Sequence, residues 1–256
     1  MKNRDSLSGW RATLENACER NHTEVGNFKQ DRSRRRSEEI LAAAVRVFAR
    51  DGIARARISD IAAEAGMPVP SIYDYYKSKE ELAYAVPMRR QTEFFAEFRK
   101  DAAKMETTRE KLGHFLWLTT DFARRHPDWA RVLYLEVWPS VWIKDSDIRD
   151  VLDDYGRIIV GMIREGAERG EWPAVPDPYP LTTIFIGAIN QVITVWLLYR
   201  RPRNLATGSR QMVDQMMELL TQRKSAGASL ARPTKTAKTS AAKTSRTSAR
   251  GKSAVG

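Results

Sequence analysis

The chain has little of what disulfide-bonded, metal-binding or secreted proteins require. Its 256 residues include one cysteine, Cys18, and three histidines that lie far apart, His22, His114 and His126. A lone thiol forms no internal disulfide, and scattered histidines do not suggest a metal, so we predict no metal site and a reducing environment. The first twenty residues are charged and lack the apolar stretch of a secretion signal, so we expect a cytoplasmic protein.

Catalytic motifs and strand patterns are missing as well. We find no glycine-rich phosphate loop and no nucleophile elbow, and we therefore expect neither an enzyme nor a bound cofactor and assign no catalytic residue. No alternating apolar and polar run is flanked by hairpin turns. Apolar residues instead recur at helical spacing, which predicts an all-α fold.

Long apolar runs are limited to residues 181–199. Because polar side chains are costly inside a lipid bilayer, the polar residues in this run favour a buried helix of the folded protein and no membrane partner. These residues are Thr182, Thr183, Asn190, Gln191 and Thr194.

Acidic residues are absent from the C-terminal tail, which makes the net charge of +11 uneven. Residues 224–256 hold eight Lys/Arg and no Asp/Glu, and residues 1–36 hold nine and five, so the rest is near neutral with 26 and 27. We predict that the tail is disordered. It either holds nucleic-acid phosphates without reading sequence or is a solubilising extension, and both alternatives stay open.

Residues 1–33 show no sustained helical or strand period and end in a basic run. We predict a loosely ordered basic arm there, with a misplaced translation start as the competing explanation.

Two short helices separated by a tight turn are predicted at about residues 57–76. The first covers residues 58–66 and stops at Gly66, and Pro68 cannot continue it because proline lacks an amide hydrogen. A second helix is expected over residues 69–76. Packed on a longer preceding helix, the pair forms a helix-turn-helix, whose second helix enters the major groove of DNA.

Several side chains of this unit suit DNA. Small and polar residues let the backbone approach base edges, tyrosine hydroxyls reach phosphates, and a lysine at a helix start suits a phosphate. Taken alone, a tyrosine cluster more often serves packing. The candidate DNA-binding residues are Arg57, Ser59, Val69, Pro70, Ser71, Tyr73, Asp74, Tyr75 and Lys79.

The motifs DIAAEAG and SIYDYYKSKEEL, preceded by ILAAAVRVFARDGI, resemble the DNA-binding domain of the tetracycline-repressor (TetR) family of bacterial regulators. The resemblance implies that Ser71, Tyr73 and Lys79 contact DNA, the last two mainly through phosphates. It also implies an N-terminal DNA-binding domain of three helices over residues 34–94 and a larger helical domain for ligand binding and dimerisation over residues 95–223.

The sequence departs from the family's pattern at three positions. Arg57 replaces the usual threonine, Pro68 replaces a capping serine or threonine, and Pro70 replaces a frequent glycine. These changes leave the predicted architecture in place but make the operator sequence unpredictable. In the larger domain, helices are predicted near residues 78–99, 108–125, 128–137, 146–169, 179–200 and 209–223.

The helix over residues 179–200 has two apolar stripes, whereas a surface helix needs only one. We predict that one side covers its own domain and that the other, with the last helix, meets a second copy in a four-helix interface. Burial within one subunit is the alternative. The candidate interface residues are Ile184, Ala188, Val195, Leu198, Met212, Met216 and Leu219.

Aromatic side chains are dense in the larger domain and favour a pocket for a small apolar effector, although any single ring is more often core. The candidate pocket residues are Phe115, Phe122, Trp138, Tyr155, Phe185 and Trp196. The segment TIFIGAINQVITVWLL, residues 183–198, is similar to regulators of fatty-acid metabolism that respond to acyl-coenzyme A (acyl-CoA).

The leading hypothesis is a homodimeric repressor that binds a near-palindromic operator in double-stranded DNA and is released by a small apolar ligand. The alternative is a nucleoid-associated protein that binds DNA regardless of sequence through its basic tail.

Overall fold

The computed structural model describes residues 9–19, 28–140 and 147–222. Every regular element in these ranges is a helix and none is a strand, so the all-α prediction is confirmed. In chain order the elements are α1 (Gly9–Glu19), α2 (Phe28–Asp51), α3 (Ile58–Ala65), α4 (Val69–Tyr73), α5 (Lys79–Ala102), α6 (Thr108–Arg125), α7 (Pro127–Arg131), a π-helix (Val132–Val137), α8 (Asp147–Glu168), α9 (Tyr179–Tyr199) and α10 (Leu205–Thr221).

Helices α2, α3 and α4 form what we call the head. Helix α2 carries the apolar stripe read from the sequence, and Ile40, Ala44 and Phe48 are all buried in the core. The helix ends at Asp51, and Gly52 follows in the left-handed conformation with φ of 77°. A side chain is disfavoured there, which is why glycine so often follows a helix end.

The turn between α3 and α4 follows the predicted pattern, but α4 is shorter than expected. Gly66 is left-handed, and Pro68 stands at the start of α4. The sequence predicted a helix to Tyr76, whereas α4 ends at Tyr73. The amides of Tyr75 and Tyr76 both donate to the carbonyl of Ile72. This tightening turns Tyr76 inward, where its hydroxyl lies 2.8 Å from Ser37 Oγ of α2.

The prediction of a loosely ordered arm over residues 1–33 is wrong for residues 9–19, which form α1, and for residues 28–33, which belong to α2. Trp10 and Leu14 are buried against α5 and α8. Gly161 of α8 makes room for Trp10, because a Cβ at Gly161 would lie 2.5 Å from the Cβ of Trp10. The apolar stripe of α1 is too short for periodicity to reveal, and its docking site lies about 150 residues further along the chain.

A buried carboxylate fixes α1 on α8. Glu165 accepts hydrogen bonds from Trp10 Nε1 and from Arg11, the latter at 2.8 Å. Burial alone would raise the pKa of Glu165, but these hydrogen bonds and the Arg11 charge outweigh it and hold the pKa below its ordinary value. The carboxylate therefore stays ionised at neutral pH.

Helix α5 connects the head to the remaining helices, which we call the body. Its first turn is capped by Ser78, whose Oγ accepts from the amide of Glu81 at 3.0 Å, as expected for a serine at this position. In the body α5 packs on α6, α7, α8 and the π-helix. The helix predicted over 128–137 is instead α7 followed by the π-helix.

Helix α10 begins at Leu205, four residues before the predicted start, because Asn204 Oδ1 accepts from Thr207 N and caps it. Helix α9 is long and apolar enough to cross a membrane by length and composition. However, Phe185, Ile189 and Ile193 on one side of α9 are fully buried in the core. The predicted basic tail, residues 224–256, and residues 1–8 and 20–27 of the predicted arm lie outside the described residues.

Candidate nucleic-acid interface and ligand cavity

One face of α4 points to solvent. Val69 is 37 % exposed and Tyr73 is 51 % exposed, whereas Ile72 is fully buried and Tyr76 is 9 % exposed. Ile72 and Tyr76 hold the segment in the head, and Val69 and Tyr73, four residues apart, form an outward ridge. A short helix with one projecting ridge over buried anchors has the shape that a major groove accepts.

The other candidate DNA-binding residues lie on α3, on α4 or in the segments that flank them. None is enclosed in the interior, so each keeps surface for a partner. Those exposed are Arg57, Ser59, Pro70 and Asp74, and those half-buried are Ser71, Tyr75 and Lys79.

Arg57 occupies the capping position of α3 without capping it. Its backbone is extended, and its side chain accepts no hydrogen bond from the first turn. Within the described part of the chain Arg57 has no ion pair, so its guanidinium is available to a phosphate. Pro68 likewise stands at the capping position of α4 and has no side-chain acceptor to offer.

Lys79 binds the backbone of its own head. Its Nζ donates to the carbonyls of Ala54 at 3.2 Å and Ala56 at 3.1 Å. These carbonyls belong to the segment between α2 and α3, residues 52–57, which we call the head loop. An ammonium group has three donors, so two of them can hold the head loop while the third remains for a phosphate.

Sequence reasoning missed a second residue that holds the head loop. Glu136 of the π-helix accepts a hydrogen bond from the amide of Ile53 at 3.2 Å through Oε2. The other oxygen lies 3.3 Å from the place that a Cβ on Gly52 would occupy. No local motif identifies Glu136, because it comes 83 residues after its hydrogen-bond donor.

A cavity of about 30 Å³ lies in the body among α5, α6, α7, the π-helix, α8 and α9. This volume holds about two water molecules, so any larger ligand must push side chains apart. The lining residues are Gln91, Phe94, Thr119, Phe122, Trp129, Leu133, Tyr134, Trp138, Tyr155, Ile186 and Asn190.

Half of the candidate pocket residues line this cavity. Phe122, Trp138 and Tyr155 do so, and the prediction was wrong for the other three. Phe115 and Phe185 are fully buried in the core and do not line the cavity. The indole of Trp196 is instead covered by Arg200, whose guanidinium lies 4.8 Å from the ring centroid in a cation–π contact.

The cavity is neutral and mixed in polarity. Gln91 and Asn190 are its amide side chains, and none of the described residues that line it is charged. Burial raises the pKa of both Tyr134 and Tyr155, so their phenols stay protonated. The hydroxyl of Tyr155 lies 2.8 Å from Thr119 Oγ1. Such a lining suits an apolar group that carries an uncharged hydrogen-bonding atom.

The candidate dimer residues divide by exposure. Ile184, Leu198 and Leu219 are more than half exposed, and Ala188, Val195 and Met212 are half-buried. Met216 is 4 % exposed and packs in the core of its own chain. It has almost no surface left for a second copy, so its assignment to the interface was wrong.

Two family models match the chain. The model described as "Bacterial regulatory proteins, tetR family" matches residues 40–86, which include α3, α4 and the head loop. The model described as "YsiA-like protein, C-terminal region" matches residues 88–223, which is more than half of the chain. Neither match includes α1.

Curated relatives are also regulators. The fatty acid metabolism regulator protein of Bacillus subtilis is 27 % identical over 184 residues, which is 70 % of this chain and 92 % of that protein. The HTH-type transcriptional repressor SCO4008 of Streptomyces coelicolor is 31 % identical over 157 residues, 61 % of this chain and 77 % of that protein.

Solved structures share the fold. The transcriptional regulator FadR of Bacillus subtilis, crystallised with stearoyl-CoA, matches with a TM-score of 0.65 and 25 % identity over 72 % of this chain and 97 % of that one. The fatty acid degradation regulator FadR of Bacillus halodurans matches with a TM-score of 0.68 and 22 % identity over 78 % and 100 %. By its exposed helix-turn-helix and these matches, the chain belongs to the TetR family of bacterial DNA-binding transcriptional regulators.

Proposed function

We propose that the chain is a homodimeric repressor that a fatty acyl-CoA releases from a near-palindromic operator. The observation that carries this proposal is the position of α5. This helix begins at Lys79, directly after the DNA-reading segment, and lines the cavity through Gln91 and Phe94. A ligand that enlarges the cavity therefore acts on the helix that carries the head.

Dimerisation is supported by the exposed apolar side chains of α9 and α10. Ile184 and Leu198 on α9 and Leu219 on α10 are each more than half exposed, and burying such residues against a second copy removes them from water. A two-fold pair of heads about one helical turn apart, roughly 34–36 Å, would read two half-sites.

An acyl group is supported by the chemistry of the cavity and by the relatives. The lining offers aromatic rings for a hydrocarbon chain and amides from Gln91 and Asn190 for a thioester carbonyl. The related FadR was crystallised with stearoyl-CoA. Because no cation is found among the described lining residues, the phosphates of coenzyme A would stay outside the cavity. Trp138, which is 36 % exposed, lies between the cavity and the surface.

Release follows as a population shift. A ligand favours the conformation that it binds more tightly, and here that conformation has an opened cavity and a displaced head. The protein would act in the cytoplasm, on the nucleoid while bound to its operator.

Footprinting of the full chain on its own upstream DNA tests the proposal. We expect a protected near-palindrome that stearoyl-CoA releases at concentrations where free coenzyme A has no effect. Gln91→Leu should keep operator binding and need more stearoyl-CoA for release, because the carbonyl loses a donor. Protection that is indifferent to every acyl-CoA would refute the ligand and leave the regulator.

A charge placed among the exposed apolar side chains of α9 and α10 tests the proposed dimer. We expect Leu198→Glu to make the protein monomeric in sedimentation and to weaken operator binding on the order of 100-fold, because the two heads no longer bind together. Ala96→Glu adds the same charge at an exposed position of α5 and should leave both properties unchanged. If the Leu198→Glu protein stayed dimeric, this face would not be the dimer interface.

Removal of residues 224–256 separates the regulator from the tail-driven alternative. We expect the truncated chain to keep specific operator binding and to lose part of its binding to unrelated DNA, with a shallower salt dependence because eight Lys/Arg are gone. Loss of nearly all DNA binding would favour the nucleoid-associated protein.

A further inference from the structure

The head loop is held from outside by two side chains, and both come from elements that line the cavity. Lys79 is the first residue of α5, and Glu136 belongs to the π-helix. The cavity wall includes residues of both elements: Gln91 and Phe94 from α5, and Leu133 and Tyr134 from the π-helix. The loop that leads into α3 is thus tied directly to two walls of the cavity.

We infer that Glu136 is a positioning residue for DNA binding, which keeps the head loop in its operator-binding position and moves it when the cavity fills. Glu136 satisfies the amide of Ile53 just after α2 has ended. That amide has left the helix, so without Glu136 it loses its acceptor in the described structure. The loop ends at Arg57, where α3 begins, so a displaced loop displaces the DNA-reading helices.

The geometry of the π-helix explains how one short element serves both the cavity and the head. The amide of Trp138 donates to Leu133 five residues earlier, at 2.7 Å, which is the wide turn of a π-helix. Leu133, Tyr134 and Trp138 line the cavity, while Glu136 contacts the head loop. Wide turns of this kind occur often at functional sites.

The size of the cavity makes this contact sensitive to filling. A volume of about 30 Å³ cannot take a long acyl chain unless wall residues move. The bond from Ile53 N to Glu136 is already 3.2 Å long, so a displacement of about 1 Å would break it. Gly52 contributes by leaving the carboxylate free to approach, since any side chain there would meet it.

The first test compares Glu136→Ala with Glu136→Gln in the full-length dimer. We expect Glu136→Ala to weaken operator binding roughly 10-fold and to speed hydrogen exchange in a peptide covering residues 52–57. Glu136→Gln keeps an acceptor oxygen and should restore most of both properties. Glu168→Ala, at an exposed position of α8, is the matched control and should behave as wild type, and thermal unfolding should confirm that all variants fold.

The inferred role of Glu136 rests on the proposed release by cavity filling and not on the identity of the ligand. The second test therefore fills the cavity with a side chain. Ile186→Phe enlarges a lining residue of α9. We expect it to weaken operator binding and speed exchange at residues 52–57 in the wild-type background, and to add little in Glu136→Ala.

Three results would overturn the inference. They are unchanged exchange at residues 52–57 in Glu136→Ala, no effect of Ile186→Phe in the wild-type background, and fully additive effects of the two substitutions. If the protein passes these tests but stearoyl-CoA does not release it from the operator, the proposed ligand is refuted and the role of Glu136 stands.

Discussion

The two ends of α5 are built from different contacts. At the body end, Phe94, Phe95 and Phe98 are buried, and the Phe98 ring lies 4.8 Å from that of Phe115 and 6.4 Å from that of Trp10. These are close-packed aromatic contacts, which contribute strongly because they combine apolar burial with favourable ring geometry. The body end of α5 is therefore fixed.

At the head end α5 buries the smaller apolar side chains of Leu82, Ala83 and Val86, and it adds polar contacts that are partly exposed to solvent. Arg89 of α5 pairs with Glu38 of α2 at 2.6 Å, and both side chains are more than a third exposed. Lys79 donates two hydrogen bonds to backbone carbonyls of the head loop, and Glu136 accepts one from its backbone. An exposed ion pair such as Arg89–Glu38 contributes about 1 kcal/mol or less, and a hydrogen bond contributes about 0.5–1.5 kcal/mol. These polar contacts are individually weak, so a ligand's binding energy can exceed them.

This difference between the two ends of α5 indicates which end moves when a ligand binds. We expect α5 to move most at its head end, where the buried side chains are smaller and the added contacts are polar. Helix α1, which lies outside both family matches, packs on the fixed body end through Trp10 and Leu14. It therefore adds packing to the body end of α5.

Truncation of an aromatic ring at the body end should have the largest effect. We expect Phe98→Ala to lower the free energy of unfolding by about 3–5 kcal/mol, since the ring is fully buried and leaves a cavity. Urea unfolding followed by circular dichroism measures it. Phe98→Leu keeps most of the volume and should cost less. A loss below about 1 kcal/mol for Phe98→Ala would contradict a fixed end.

The head could be predicted from sequence because its determinants are local. Gly52 and Gly66 fix the helix ends, Pro68 separates α3 from α4, and the buried stripe of α2 has a regular spacing. All these features fall within about forty residues, which is also where the family resemblance is densest. Two helix bounds in the head differ from the prediction. Helix α4 ends at Tyr73, before the segment in which Tyr76 meets Ser37 of another helix, and α2 begins at Phe28, inside the predicted arm.

The cavity and α1 could not be predicted in the same way, because packing between distant segments determines them. Gln91 and Asn190 meet across the cavity from helices about a hundred residues apart, and nothing in either local sequence marks them. The site for Trp10 is created by the missing side chain of Gly161. A glycine within a helix does not reveal what packs on it.

Low pH should weaken the attachment of α1 to the body. The pKa of Glu165 is held below its ordinary value in the folded protein, so its contribution is complete above the ordinary glutamate pKa and is lost as pH falls through the lowered value. At neutral pH we expect Glu165→Gln to cost about 1–3 kcal/mol, because the bonds from Trp10 and Arg11 lose their charged acceptor.

Urea unfolding of wild type and Glu165→Gln from pH 7 to pH 3 measures this contribution. The difference between the two proteins should shrink as the pH falls. Glu168→Gln, at an exposed position nearby on α8, should show no such dependence. A difference that stays constant over the whole range would show that the charge of Glu165 does not hold α1.

Substitution of Lys79 tests the head end of α5 through its effect on DNA binding. We expect Lys79→Ala to weaken binding to all sequences alike, by roughly 10-fold, and to lower the salt slope by about 1, because one phosphate contact is lost. Ser71→Ala should instead change base preference. Titrations of operator and unrelated DNA at several salt concentrations separate the two. An unchanged salt slope would leave Lys79 only its role of holding the head loop.

Arg89→Ala should have the smallest effect on stability, although its ion pair joins the head to α5. Both partners are more than a third exposed, so water and salt screen the pair. We expect the free energy of unfolding to fall by less than about 1 kcal/mol at low salt and by nothing measurable near 1 M salt. Lys100→Ala, at an exposed position near the body end, is the control for loss of a surface charge. If Arg89→Ala lowered the free energy of unfolding as much as Phe98→Ala, the polar contacts at the head end of α5 would be as strong as the aromatic packing at its body end. A ligand in the cavity would then not move the head end in preference.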